Sequence, residues 1–307
     1  VISFLASPKP FKGGDKHNQY RAVGSWLSAV PDGEVILYGA SEGIAEAGEE
    51  LRVKVVPDIP SASSGAPYFG AIADHAAAHA RFDLQIYLNC DILLSGIASA
   101  LRLIGFPHFL LIGERIDLAE GVMVDTARPH WKKELARLAA CGRVKAHGPT
   151  GIDYFAFRRG MWRSLPPVII GRGGYDKALL AHCFKHRYPL IDGTFLVSAL
   201  HQFHDYGHID GRRNEAFYGE EARQNFQATG KNHSRPLVSD AEYVLRPERM
   251  LYWPCRGDRL RHLEVKLRYV HGWDRFGLLL RALWRILALM RLTEVRKIQL
   301  AALVRPW

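Results

Sequence analysis

Cysteine is scarce in this 307-residue chain, with only Cys90, Cys141, Cys183 and Cys255, at wide irregular spacings and without a C-x-x-C pair. That pattern excludes a disulfide framework or a thiolate zinc knuckle and fits a reducing cytosol. Long apolar runs are missing too. No uncharged stretch reaches the roughly eighteen residues of a spanning helix. The first residues, VISFLASPKPF, lack the basic start, apolar core and small-residue cleavage site of a signal peptide, and read as a first strand. There is neither a Walker-type phosphate loop nor a G-x-G-x-x-G, which argues against ordinary nucleotide hydrolysis and dinucleotide redox. Internal repeats and low-complexity linkers are absent as well.

What is present is a globular composition, 48% hydrophobic and 23% charged, long enough for a substantial core in one large domain or two smaller ones. The formal net charge of +10 favours anionic partners: phosphorylated substrates, anionic lipid or nucleic acid. The arginines thicken from Arg246 to Arg305. No zinc-finger, RNP-type or basic-zipper pattern accompanies them, so no nucleic-acid partner is expected.

The first half alternates strand-like and helix-like segments. VISFLAS, EVILYGA, RVKVVPDI and LQIYLNCDILL read as strands. Helices are expected over 18–27, 42–51 and 68–81. HFLLIGERIDL and GIDYFAFRRGMW continue the strands, with a basic helix around ARPHWKKELARLAACGRV. Such alternation predicts an α/β fold, a mostly parallel sheet flanked by helices, whose ligands sit beyond the carboxyl ends of the strands. Pro8, Lys9 and the Asn89–Asp91 tripeptide fall on that edge.

A carboxylate ending a buried strand needs a partner, because burying it alone is costly. Asp91 is therefore a candidate ligand for a divalent cation that grips a diphosphate, or else the cap of the next helix. HQFHDYGH packs His201, His204, Asp205 and His208 into one short segment, and an imidazole–carboxylate set suits a transition metal. GRGGYDKALL sets Asp176 at a helix start, as an N-cap or as a base for an acceptor hydroxyl, with Arg172 placed to pair with phosphate. Arg115, Asp117 and Asp153 stand at strand ends. There an arginine suits phosphate and carboxylates suit sugar hydroxyls, or the three form structural ion pairs.

Taken in order, SPKPF, SWLSAVPDGEVILYG, YLNCDILL, FLLIGERIDL, PTGIDYFAF, LPPVIIGRGGYDKALL, YPLIDGT and HQFHDYGH resemble a group of bacterial glycosyltransferase-like proteins with the GT-A (nucleotide-diphospho-sugar transferase) fold. The resemblance covers about residues 2–245. It departs at Cys90, where the family has alanine, at Tyr175 and Lys177 in the family's Trp-Asp-Asn, and at Phe203 and Gly207 in the histidine segment. It implies a GT-A-type, Rossmann-like domain over 1–245 and a basic helical extension over 246–307. It also implies a nucleotide-sugar donor, with Pro8, Lys9, Asn89, Asp91, Arg115 and Arg172 around nucleotide and diphosphate. Asp91 and His204, with His201 and His208, would hold Mn2+ or Mg2+. Asp153 and Asp205 would meet the acceptor, a glycan or lipid-linked hydroxyl, and Asp176 would serve as base in an inverting transfer.

Residues 273–304 alternate leucines with arginines. Arg281 and Arg285 lie on one helical face and Leu279, Leu283, Ile286, Leu287 and Met290 on the other. This suits a helix lying on an anionic membrane, hence a cytoplasmic protein peripheral to the membrane, or a helix packed on the domain or a second subunit. Two rivals stand beside the transferase: a metal-dependent hydrolase built on His201, His204 and His208, and a non-catalytic sugar-nucleotide binder.

Overall fold

The computed structural model describes residues 1–204, 212–230, 235–252 and 259–272, together with residue 279. Asp205, His208 and nearly all of the expected amphipathic segment 273–307 lie outside the described residues. The strands are β1 (Ile2–Ala6), β2 (Glu34–Tyr38), β3 (Lys54–Val56), β4 (Leu84–Leu88), β5 (Ile92–Ser95), β6 (Leu110–Ile112), β7 (Ile116–Leu118), β8 (Val144–Ala146), β9 (Tyr154–Arg158), β10 (Leu190–Asp192), β11 (Ser198–His201), β12 (Tyr243–Arg246) and β13 (Arg249–Tyr252). The helices are α1 (Gly13–Ala29), α2 (Ile44–Leu51), α3 (Phe69–His79), α4 (Ile97–Arg102), α5 (Trp131–Ala140), α6 (Tyr175–His186), α7 (Arg212–Tyr218), α8 (Glu220–Ala228) and α9 (Arg259–Tyr269).

Nine strands form the main sheet in the order β13-β12-β10-β6-β9-β4-β1-β2-β3. Among the described residues only β9 and β13 run against the others, so the expected mostly parallel α/β sheet is observed. Its strands are apolar on both faces because both are covered. Leu5, Ile36, Tyr38 and Tyr87 pack with α3, α6 and α9 on one face. Phe4, Leu37, Ile86 and Leu88 pack with α1, α2 and α4 on the other.

A second sheet, β5-β11-β7-β8, grows out of the carboxyl edge of the first. Its strands β5, β7 and β11 follow β4, β6 and β10 in sequence after short breaks. The single strand expected over LQIYLNCDILL is thus two, broken at Asn89–Asp91. The physical reason is partner exchange. Leu84–Leu88 pairs with β1 and β9, whereas Ile92–Ser95 pairs with β11. HFLLIGERIDL divides the same way around Gly113–Arg115. The expected division after residue 245 falls inside the β12–β13 hairpin, and Val265 and Tyr269 of α9 join the main core. The described part of 246–272 is therefore continuous with the domain.

Candidate metal centre

The crease between the two sheets gathers the chemistry. Asp91 is buried there, between β4 and β5. His201 ends β11, and β11 runs antiparallel to β5 with His201 opposite Ile92, next to Asp91. His204 Nε2 lies 3.1 Å from Asp91 Oδ2, His201 Nε2 lies 3.9 Å from the same oxygen, and the two Nε2 atoms are 3.2 Å apart. One ligand atom from each of the three residues falls within 4.8 Å of the others. Lys9, from the loop after β1, brings its ammonium to 3.6 Å from Asp91 Oδ2 and 3.4 Å from Asp15. Gln19 of α1 clamps the Lys9 backbone, accepting from its N–H at 2.7 Å and donating to its carbonyl at 3.1 Å.

Burial by itself would raise the Asp91 carboxyl. His201, the hydrogen bond from His204 and the Lys9 charge outweigh it and hold the group well below the usual carboxylate range. Burial lowers His201, against the pull of Asp91, which favours the neutral imidazole that ligates metals. Asp91 Oδ1 is buried without a hydrogen-bond partner among the described residues. A buried carboxylate with Oδ1 unsatisfied and Oδ2 beside two imidazole nitrogens is a donor set that fits a divalent cation.

A chain of paired groups extends from this centre. The Tyr175 hydroxyl donates to Asn89 Oδ1 at 3.0 Å, and Asn89 Nδ2 donates to Asp153 Oδ1. Arg115 donates to Asp153 and to Asp117, both at 2.8 Å. Burial opposes the Arg115 charge, but the two carboxylates more than compensate and raise its pKa. Asp117 also meets His147 at 2.7 Å.

The expected site residues therefore divide. Lys9, Asn89, Asp91, Asp153, Arg115, His201 and His204 share one crease, and Pro8 is buried beside Lys9. Arg172 instead donates to Glu221 at 2.7 Å and to Ser64 at 3.0 Å. Asp176 is the second residue of α6, after Tyr175, and is ion-paired to its neighbour Lys177 at 2.8 Å, whose ammonium also reaches the Thr150 carbonyl at 3.4 Å. The sequence marks Tyr175 only as a departure from the family's motif and gives His147 no role. Tyr175 adjoins the candidate base, and His147 precedes the turn Gly148-Pro149-Thr150-Gly151.

No protein-family model and no curated protein matches this chain. Solved structures do. The mannosyltransferase PcManGT from Pyrobaculum calidifontis, in complex with GDP-Man and Mn2+, is 13% identical over 99% of this chain and 84% of its own, with a TM-score of 0.47. Glucosyl-3-phosphoglycerate synthase from Mycobacterium tuberculosis, in complex with Mn2+, UDP and phosphoglyceric acid, is 17% identical over 83% of this chain and 87% of its own, at 0.43. S. aureus TarS 1-349 is 10% identical over 66% of this chain, which spans 57% of that structure, at 0.39.

Proposed function

We propose that this chain is a metal-dependent, nucleotide-sugar glycosyltransferase of the GT-A type. The observation that carries the reading is the convergence of Asp91, His201 and His204 at the carboxyl edge of a parallel sheet, with Asp91 Oδ1 buried and unbonded among the described residues. The ordered resemblance of the sequence to GT-A transferases supports it. Asp91, His201 and His204 would hold the cation, and two imidazoles with one carboxylate suit Mn2+ better than Mg2+. When bound, the ion supplies positive charge against the departing diphosphate.

The protein's own groups do the rest. Lys9, fixed through its backbone by Gln19, adds a cation on the donor side of Asp91. In the transfer, the acceptor hydroxyl oxygen bonds to the anomeric carbon while the bond to the diphosphate breaks, its electron pair leaving with the phosphate oxygen. The hydroxyl proton passes to Asp176, which exchanges its Lys177 contact for the acceptor, and the anomeric centre inverts. Asp153 and Asp205 are the acceptor-side carboxylates of this reading. The acceptor class is a glycan or lipid-linked hydroxyl of envelope assembly, met at the cytoplasmic membrane face through 273–307. Among the described residues no helix is long and apolar enough to cross a membrane.

The test is thermal unfolding with UDP or GDP, with and without Mn2+. A ligand that binds only the native state at a hundred times its Kd adds about 2.7 kcal/mol. The expected outcome is stabilisation by the diphosphate that needs the metal and disappears in Asp91→Ala. A diphosphate shift indifferent to Mn2+ and to Asp91→Ala, in a folded variant, would refute the metal centre. Zinc binding with hydrolytic turnover and no diphosphate response would favour the hydrolase instead.

A further inference from the structure

We propose that Asp117 is a positioning residue that holds the His201 proton on Nδ1, leaving the Nε2 lone pair aimed at Asp91 and His204. The proposal rests on the cation reading of that centre and extends it to the residue that arms one of its ligands. Asp117 Oδ1 lies 3.5 Å from His201 Nδ1, an electrostatic contact somewhat longer than the roughly 2.7–3.2 Å of an N–H···O hydrogen bond. A neutral imidazole has one N–H, and an ionised carboxylate can only accept. A proton on Nδ1 therefore satisfies both groups. A proton on Nε2 would set the Nδ1 lone pair against the Asp117 oxygen at 3.5 Å, whereas a proton on Nδ1 sets the Nε2 lone pair against Asp91 Oδ2 only at 3.9 Å. The nearer carboxylate decides the tautomer. Metal-ligating histidines commonly gain their orientation in this way, through a carboxylate on the second ring nitrogen.

Strand register places the pair. His201 on β11 is directly opposite Asp117 on β7, so the two side chains leave the same face. Asp117 is opposite Lys145 on β8, and His147, two residues further along, shares the Lys145 parity and comes back to Asp117 Oδ2 at 2.7 Å. The backbone makes room for it. A Cβ at Gly151 would stand 2.5 Å from His147 Cδ2, and the His147 N–H donates to the Arg115 carbonyl. Arg115 fixes the other side of Asp117 with an N–H at 2.8 Å from Oδ1. Asp117 is thus braced by Arg115 on Oδ1 and His147 on Oδ2, and Oδ1 keeps acceptor capacity on the side of His201. Burial raises its carboxyl, but His147 and Arg115 overcome that and keep it ionised.

Two measurements test the proposal separately from the metal reading. Imidazole 15N–1H NMR of the metal-free protein, near pH 8 where imidazole is neutral, reads the tautomer directly. The expectation is Nδ1–H for His201 in the unaltered chain and a shift towards Nε2–H in Asp117→Ala. Calorimetric titration with Mn2+ alone should show affinity falling by roughly 10–100-fold in Asp117→Ala. Asp117→Asn, which keeps an acceptor oxygen, should recover part of it, and Gly151→Ala, which displaces His147, should give a smaller loss. If His201 carries its proton on Nε2 in the unaltered chain, or Mn2+ affinity is unchanged in folded Asp117→Ala, the positioning role is overturned. If the unaltered chain binds no Mn2+ while its tautomer still depends on Asp117, the metal reading fails and the Asp117–His201 pairing stands. Should Asp117→Ala fail to fold, Asp117→Asn and Gly151→Ala carry the same comparison.

Discussion

At the scale of single residues, the crease is built from groups that are individually costly to bury and become tolerable only as a set. Asn89 shows this most simply. Its amide donates to Asp153 and its carbonyl accepts from Tyr175, so one side chain joins a carboxylate on the β9 side to the first turn of α6. Asn89→Ala leaves two buried polar groups short of a partner, at about 1–3 kcal/mol for each group that water cannot reach. A fall in chemical-denaturation stability within that range is expected, with weaker Mn2+-dependent diphosphate binding. Neither Arg115 nor Asp176 is idle charge, since Arg115 serves two carboxylates and Asp176 is held by Lys177. The sequence offers the Arg115 ion pairs only as one of two alternatives and does not choose between them, and it gives no reason to pair Asp176 with Lys177.

At the scale of elements, the glycine-rich turn before α6 and the glycine inside α1 make opposite demands. Gly174 has φ +86°, and a Cβ there would come within 2.3 Å of the Phe226 ring. Gly174→Ala is expected to destabilise by more than about 1 kcal/mol and to disturb Tyr175 and Asp176 just beyond it. Gly24 sits mid-helix with nothing within 4 Å of its added Cβ. Gly24→Ala should stabilise by roughly 0.5–1 kcal/mol. Urea midpoints of the two variants, moving in opposite directions, check both. The elements themselves were largely legible. The helix expected over 18–27 spans Gly13–Ala29, and that over 68–81 spans Phe69–His79. The broken strands were not. Although Asn89 and Asp91 mark a strand end, the run LQIYLNCDILL does not show that a second strand with another partner begins at Ile92, because both β4 and β5 are mainly apolar.

At the scale of the whole molecule, stability should depend on acidification through a histidine far from the candidate centre. His182 of α6 is buried against Trp162, and its Nε2 has no hydrogen-bond partner among the described residues. Burial first, then the charge of His186, lowers its pKa from 6.5 to about 4. Between those values the unfolded chain binds a proton that the folded chain refuses, so stability falls as pH drops from about 6.5 towards 4 and this contribution levels off below. Thermal midpoints measured across that range should decline less steeply in His182→Gln than in the unaltered chain. An equal decline in both would remove His182 as the cause.

The sequence by itself determined the α/β class, the placing of Asn89 and Asp91 at a strand end, and the closeness of His201 to His204, because periodicity and short spacing are local properties of a chain. Only the tertiary structure decided that Lys9 and His201 reach the same carboxylate, that Arg115 spends its charge on Asp153 and Asp117, that Arg172 turns to Glu221, and that Asp117 stands behind His201. Those contacts come from strand order and register between segments remote in sequence. Strand pairing is chosen by packing over the whole sheet, and nothing in a short stretch of residues specifies it.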